Sequence, residues 1–121
     1  MIATLRHDGV VVYDDILAGR VRVELAERVP FEERAMFGGL AFMVNTHMAC
    51  GVMGADLMLR VGKEAHDDAI SRGARDMDMT GRPMRGLVVV PSAALNDDAL
   101  VAWVEQAVTF AESEPPKRAK S

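Results

Sequence analysis

The sequence predicts an α+β fold, a two-layer domain in which helices flank an antiparallel sheet. Two observations predict it. Strand-like runs follow one another in groups instead of alternating singly with helices, and the breaks between the first runs are only two residues long, which is the length of a hairpin loop. The predicted order is helix, three or four strands, helix, two strands, helix. With 121 residues, of which 50% are hydrophobic, the chain suits one compact domain.

The domain itself is predicted to span residues 13–112. Residues 1–12 show no helical period, and we interpret them as a leader or as an extra edge strand at Val10–Tyr13. Residues 113–121 are polar, so we expect a flexible tail.

The first helix is predicted to begin at Asp14 or Asp15, because aspartate is a favoured N-cap residue. Pro30 disfavours helical geometry at the residue before it, so the helix should end at Val29. Between these limits, one face recurs at helical spacing: Leu17, Val21, Leu25 and Arg28.

A four-strand meander is predicted next, with breaks at Gly38-Gly39, Asn45-Thr46 and Gly54-Ala55. The first two strands are almost entirely apolar, so we expect them to lie centrally in the sheet, under the helices. The predicted strands are Ala35–Phe37, Leu40–Val44, His47–Val52 and Asp56–Val61.

Gly38 and Gly39 interrupt an otherwise apolar run. Glycine at a corner between strands permits a positive φ and a close approach of backbones, which residues with a Cβ resist. We therefore predict a structural corner. The alternative is an anion-binding nest formed by the two glycine amides.

The second half of the chain is predicted to hold a short helix at Lys63–Arg72, capped by Gly73, and a final helix that begins at Asp97 or Asp98. Between the helices, Met77 and Met79 alternate with aspartates before a turn at Thr80-Gly81, and Arg85–Val90 forms a strand that Pro91 stops.

The final helix has a wide apolar face. Trp103 and Phe110 lie beside the stripe formed by Val101, Val104 and Val108. An exposed apolar patch of this kind usually marks a contact surface. We therefore predict weak self-association, as a homodimer, through Trp103 and Phe110.

The net charge of −4 argues against a general nucleic-acid-binding surface, because phosphate binding needs clustered Lys and Arg. A basic cluster lies only in the tail, at Lys117, Arg118 and Lys120, so we expect weak or no direct DNA binding. No apolar run approaches the roughly 20 residues that span a bilayer, so no membrane segment is expected. The single cysteine, Cys50, has no partner for an internal disulfide, and we expect the protein to be cytoplasmic.

No catalytic constellation, cofactor motif or metal-ligand pattern is evident, and we predict a protein that is not an enzyme and uses no cofactor. His47 and Cys50 are close in sequence, but their odd offset on a strand should point them to opposite faces. His66, Asp67 and Asp68 are interpreted as a solvated polar face. The paired aspartates near helix starts are interpreted as caps that complement the helix dipole: Asp14-Asp15, Asp67-Asp68 and Asp97-Asp98.

Arg34, Arg60 and Arg82 form a candidate binding set for an anion or an acidic partner. Arg34 precedes the Gly38-Gly39 corner, Arg60 is expected on an exposed strand face, and Arg82 is expected in a turn. Separate surface ion pairs are the competing interpretation.

Four segments together resemble the N-terminal domain of the TfoX/Sxy family: ERAMFGGLAFMV, MACGVMGADLMLRVG, MTGRPMRGLVVVP and LVAWVEQA. The resemblance runs from about Tyr13 to Glu112, and what it implies is a stand-alone N-terminal domain. It implies a two-layer α+β domain that is similar to secretion-chaperone-like folds. Full-length members regulate natural competence as transcription coactivators working with a cyclic-AMP receptor protein, and they carry a second domain similar to helix-hairpin-helix modules.

The resemblance therefore implies a non-enzymatic regulatory module that acts through a protein partner, such as a transcription regulator. The alternative is a small-ligand or anion-binding domain that uses the Gly38-Gly39 corner and the nearby arginines.

Overall fold

The computed structural model describes residues 4–5, 11–36, 38–78 and 83–117. Within them, three α-helices accompany a six-stranded antiparallel sheet, which confirms the α+β class. The sheet has the order β3-β4-β5-β6-β8-β7. The elements are β1 (Thr4–Leu5), β2 (Val11–Tyr13), α1 (Asp15–Ala26), β3 (Glu32–Met36), β4 (Gly39–Val44), β5 (His47–Met53), β6 (Asp56–Arg60), α2 (His66–Ser71), β7 (Arg75–Asp78), β8 (Pro83–Pro91) and α3 (Asp97–Ser113).

The three helices pack on one face of the sheet. Alternate strand residues that pair across the sheet, such as Cys50, Leu59 and Val88, join the apolar faces of the helices in the main core. The intervening residues face the other way and form a smaller apolar cluster without a helix: Met58, Met77 and Val89, with Met48, Met53 and Leu87 packed against them.

Helix α1 begins as predicted, because the Asp14 carboxylate accepts hydrogen bonds from the backbone N–H groups of Ile16 and Leu17. Its end is earlier than predicted, at Ala26 instead of Val29. The N–H groups of Arg28 and Val29 both donate to the carbonyl of Leu25, so the chain closes into a turn before Pro30.

Strand β3 lies at the edge of the sheet, so the expectation that the first two strands are central is wrong for the first of them. The strand begins earlier than predicted and includes Glu32, Glu33 and Arg34, whose side chains are exposed. Charged side chains are typical of edge strands, since they discourage pairing with another chain. Strand β4 is the apolar inner neighbour.

The β1–β2 pair forms a separate two-stranded sheet, so Val11–Tyr13 is not an edge strand of the main sheet. A parallel bridge between Tyr13 and Gly54 is its connection to the meander. This bridge places the start of α1 beside the β5–β6 hairpin, where the N–H of Asp14 donates to the carbonyl of Gly54.

At the glycine corner, Gly38 has the positive φ and Gly39 makes the close backbone approach. Met36 pairs with Gly39, and Gly38 lies in the short connection between β3 and β4. Gly38 adopts a φ of +73° with no atom near its missing Cβ, whereas a Cβ on Gly39 would lie 2.3 Å from the carbonyl oxygen of Val52. The predicted positive φ and close approach are both confirmed, each at a different glycine.

A β-bulge in β5 overturns the predicted separation of His47 and Cys50. Phe42 pairs with Cys50 but Met43 pairs with Met48, which leaves Ala49 as the extra residue. The bulge reverses the alternation, so both side chains face the helices.

The end of the chain is attached to the β4–β5 hairpin as far as the structure describes it. The Asn45 side-chain amide donates to the carbonyls of Ala111 and Glu114 at the end of α3. His47 Nε2 lies 2.7 Å from the Pro115 carbonyl, and the Lys117 N–H donates to Thr46 Oγ1. Residues 114–117 are therefore hydrogen-bonded to the β4–β5 hairpin, and the flexibility of the tail at 113–121 stays a prediction.

Candidate functional site

The predicted arginine set is not brought together by the described residues. Arg34 lies 3.6 Å from Glu32 on the edge strand, in a depression that includes Asn45 and Thr46. Arg60 lies at the end of β6, in a different cleft. Arg82 lies outside the described residues, so its position relative to Arg60 remains a prediction.

The larger cleft lies where the ends of β6 and β8 meet the C-terminal part of α3, and we call it the basic cleft. Its volume is about 650 Å³, within the range of ligand sites. Its lining includes three basic side chains and one carboxylate, in a protein whose net charge is −4. The lining residues are Arg60, Gly62, Lys63, Met84, Arg85, Gly86, Leu87, Phe110 and Glu114.

Arg60 is partly buried in the wall of the basic cleft and does not lie on an exposed strand face as predicted. Its guanidinium carbon is 5.2 Å from the centre of the Phe110 ring, which is the geometry of a cation–π contact. A carboxylate oxygen of Glu114 lies 3.9 Å from a terminal nitrogen of Arg60. Phe110 on α3 and Glu114 just after it hold the guanidinium at the cleft, and within the described ranges its N–H groups make no side-chain hydrogen bond.

Arg85 is fixed by the aspartate that follows His66. Its two terminal nitrogens donate to the two oxygens of Asp67 at 3.1 Å each. The hydrogen bonds and the charge of Arg85 hold the pKa of the Asp67 carboxyl below its usual range. Lys63 is exposed, and no carboxylate lies within ion-pair distance of it in the described part of the chain.

Two glycines in the left-handed backbone region form the floor of the basic cleft. Gly62 and Gly86 have φ values of +89° and +94°. The N–H groups of Val61 and Gly62 both donate to the Gly86 carbonyl. A Cβ on Gly62 would lie 2.5 Å from Phe110 Cε1, so glycine is needed there for α3 to approach the sheet.

His66 supports this floor from below, and the prediction that it belongs to a solvated face is wrong. It is 3% exposed, and its Nδ1 accepts a hydrogen bond from the N–H of Gly86. Because Nδ1 accepts, the proton lies on Nε2, which donates to Asp76 at 2.7 Å. Asp67 and Asp68 are exposed, as predicted.

The aromatic patch predicted on α3 is not exposed. Trp103 is 5% exposed and belongs to the main core. The guanidinium carbon of Arg72 lies over it, 4.1 Å from the centre of the indole ring. Phe110 is partly buried as a wall of the basic cleft. The wide apolar face of α3 is explained by packing, and self-association remains a prediction without this support.

An apolar surface is exposed instead on α1. Among the residues whose side chains the structure describes, three large hydrophobic residues are exposed: Ile16, Val23 and Met84. Ile16 and Val23 are 54% and 57% exposed and lie two helical turns apart on one face. Gly19 lies between them with no atom within 4 Å of its missing Cβ, and exposed Ala26 continues the row. We call these four residues the α1 seam.

His47 and Cys50 share a face but do not form a metal site with a third ligand. No group of three or more His, Cys, Asp or Glu residues suited to a metal ion occurs among the described residues. His47 bonds to the Pro115 carbonyl, and burial raises the pKa of the Cys50 thiol to about 12. Cys50 is therefore a small apolar core residue, as predicted.

Lys63, Arg85 and the α1 seam were not predicted from the sequence. Lys63 and Arg85 each adjoin a glycine, in Gly62-Lys63 and Arg85-Gly86, and these dipeptides are the local signal that could have found them. The seam follows a three-four spacing of small and apolar residues, opposite the buried face of the same helix.

A comparison with protein-family models matches residues 24–111 to the TfoX N-terminal domain. Among curated proteins, none matches the sequence. In the described part of the chain, no helix is long and apolar enough to cross a membrane.

Proposed function

The chain belongs to the TfoX N-terminal domain family, and on this premise we propose that it is a non-enzymatic regulatory domain that works by binding a protein partner. Membership of the family suggests a regulatory domain of competence-related proteins. The partner we propose is a protein such as a transcription regulator, which makes the DNA contacts.

The observation that carries this proposal is the α1 seam. Its residues, Ile16, Gly19, Val23 and Ala26, recur at intervals of three and four, which is the spacing of a helix-packing seam. They span about 15 Å at the rise of an α-helix. Small residues at Gly19 and Ala26 permit close approach of a second backbone, while Ile16 and Val23 supply the apolar area.

The surroundings of the α1 seam favour a protein surface over a nucleic acid. Arg22 is held by both oxygens of Glu33, at 2.5 and 2.9 Å, and Arg28 is paired with Glu24 and Glu105. Arginines that are already paired with carboxylates contribute little to phosphate binding, which needs uncompensated charge. An apolar row with neutralised borders suits the apolar face of a protein helix.

Site-directed photo-crosslinking tests the proposal. A benzophenone amino acid at Val23 should give one discrete adduct in the native cells, and the adduct should disappear when Ile16→Asp is introduced in the same chain. The matched control carries the photo-reactive residue at Asp68, which is equally on a helix surface but outside the α1 seam.

An adduct of twice 13.2 kDa would identify the partner as a second copy of the chain and support the predicted homodimer. The proposal is wrong if Val23 gives no protein adduct, or if the Asp68 control gives the same one.

A further inference from the structure

The basic cleft is lined by residues from 60–63, 84–87 and 110–114, and the contact proposed for α1 does not use it. We propose that it binds a small organic anion, with a phosphate or carboxylate group on an apolar or aromatic body. This goes beyond the proposed function, and neither depends on the other.

Charge is the first argument. Arg60, Lys63 and Arg85 line the cleft. Glu114 lies beside Arg60 and Asp67 pairs with Arg85, so three cations face two carboxylates and the net positive charge of the cleft is that of Lys63. Lys63 is exposed and has no ion pair in the described part of the chain. Arg85 uses two of its donors on Asp67 and keeps others. An anion in the cleft would accept charge-assisted hydrogen bonds from fixed and available donors.

Shape and polarity are the second argument. Phe110, Leu87 and Met84 give the cleft an apolar wall, and Met84 is 40% exposed although it is a large apolar residue. A volume of about 650 Å³ fits a small molecule and is too small for a folded partner. Cations beside an apolar wall suit a ligand that has an anionic end and an apolar body.

Preorganisation is the third argument. Gly62 and Gly86 are in contact and have no side chains, so the floor of the cleft is backbone. The N–H of Gly86 donates a hydrogen bond to His66. Arg60 is held over the ring of Phe110. Because these contacts are made within the chain itself, they favour a site that is ordered before binding.

The test is a titration followed by amide NMR shifts, with four probes: phenyl phosphate, phenylacetate, benzyl alcohol and inorganic phosphate. We expect saturable shifts of the Gly62 and Gly86 amides with phenyl phosphate or phenylacetate at millimolar concentration or below. The tighter of these two identifies the anionic group. Benzyl alcohol lacks the charge and inorganic phosphate lacks the apolar body, so each should bind at least about tenfold more weakly.

The variants locate the site. Lys63→Glu should weaken binding about tenfold or more, the loss expected for replacing one charge-assisted contact by repulsion. Lys63→Gln should give a smaller loss in the same direction. Lys117→Glu makes the same charge change outside the cleft and should leave the affinity within about twofold of wild type. Lys63 and Lys117 are both exposed, so all three variants should melt like wild type.

The proposal is overturned if no probe gives saturable shifts, if benzyl alcohol binds as well as the anions, or if Lys63→Glu binds like Lys117→Glu. These outcomes are separate from the test of the α1 seam, since Lys63→Glu should leave the Val23 crosslink unchanged.

Discussion

Replacing Gly39 by alanine is expected to destabilise the protein more than the same change at Gly38, although Gly38 has the unusual backbone angle. At Gly39 the new Cβ would lie 2.3 Å from the Val52 carbonyl oxygen and 3.2 Å from its carbonyl carbon. An ordinary contact is about 3.4 Å or more, so β4 would move about 1 Å away from β5. The obstacle is backbone inside a sheet, which cannot rotate aside.

The magnitudes separate the two variants. Overpacking of this kind costs about 3 kcal/mol, at the upper end of the usual range, because a central ladder must shift. At Gly38 the Cβ meets open space, and only the left-handed φ of +73° is disfavoured, at about 1–2 kcal/mol. Part of that cost is offset because alanine restricts the unfolded chain. Gly39→Ala should therefore be the more damaging by about 1–2 kcal/mol.

Urea unfolding followed by the fluorescence of Trp103, the only tryptophan, measures both free energies of unfolding. Gly19→Ala is the control, since this helical glycine has open space and a normal φ and should gain about 0.5–1 kcal/mol. The reasoning is refuted if Gly39→Ala is no less stable than Gly38→Ala.

Four further predictions concern the core and the charge distribution. His66→Ala should lower the free energy of unfolding, measured in urea, by about 2–3 kcal/mol, because it leaves the buried Gly86 N–H without its acceptor. Asp68→Asn on the same helix is the control, and an equal loss of stability there would contradict this role of His66. Cys50 should resist iodoacetamide at pH 8 until urea unfolds the protein, since burial raises its thiol pKa to about 12. The same shift predicts that stability falls as pH rises from about 9 towards 12, where the unfolded thiol ionises and the native one does not. Duplex DNA should bind only weakly and through the tail, so submicromolar, salt-sensitive binding that survives removal of residues 115–121 would refute the protein-mediated account.

The sequence predicts the meander well because hairpin lengths and strand alternation are local properties. It fails at β3, where the apolar residues 35–37 indicate a buried strand but the charged residues 32–34 belong to the same strand and place it at the edge. It fails again at His47 and Cys50, because a one-residue bulge reverses the alternation and leaves no clear mark in the sequence.

The candidate site is less accessible to sequence reasoning than the fold. The basic cleft joins residues 60–63, 84–87 and 110–114, which meet only because β6 pairs with β8 and α3 packs over their ends. Arg34 and Arg60 are both basic and near glycines, yet they lie in different clefts. The burial of Trp103 likewise could not be predicted from the sequence, because the sheet and a covering arginine bury the wide apolar face of the helix.

The most direct test of protein contact through α1 is the affinity of the crosslinked partner, once purified, for three forms of the chain. Wild type and Lys63→Glu should bind within about twofold of each other, and Val23→Glu should bind at least tenfold more weakly, because it buries a charge in an apolar seam. Equal affinity of Val23→Glu and wild type, with all three forms folded, would contradict the account.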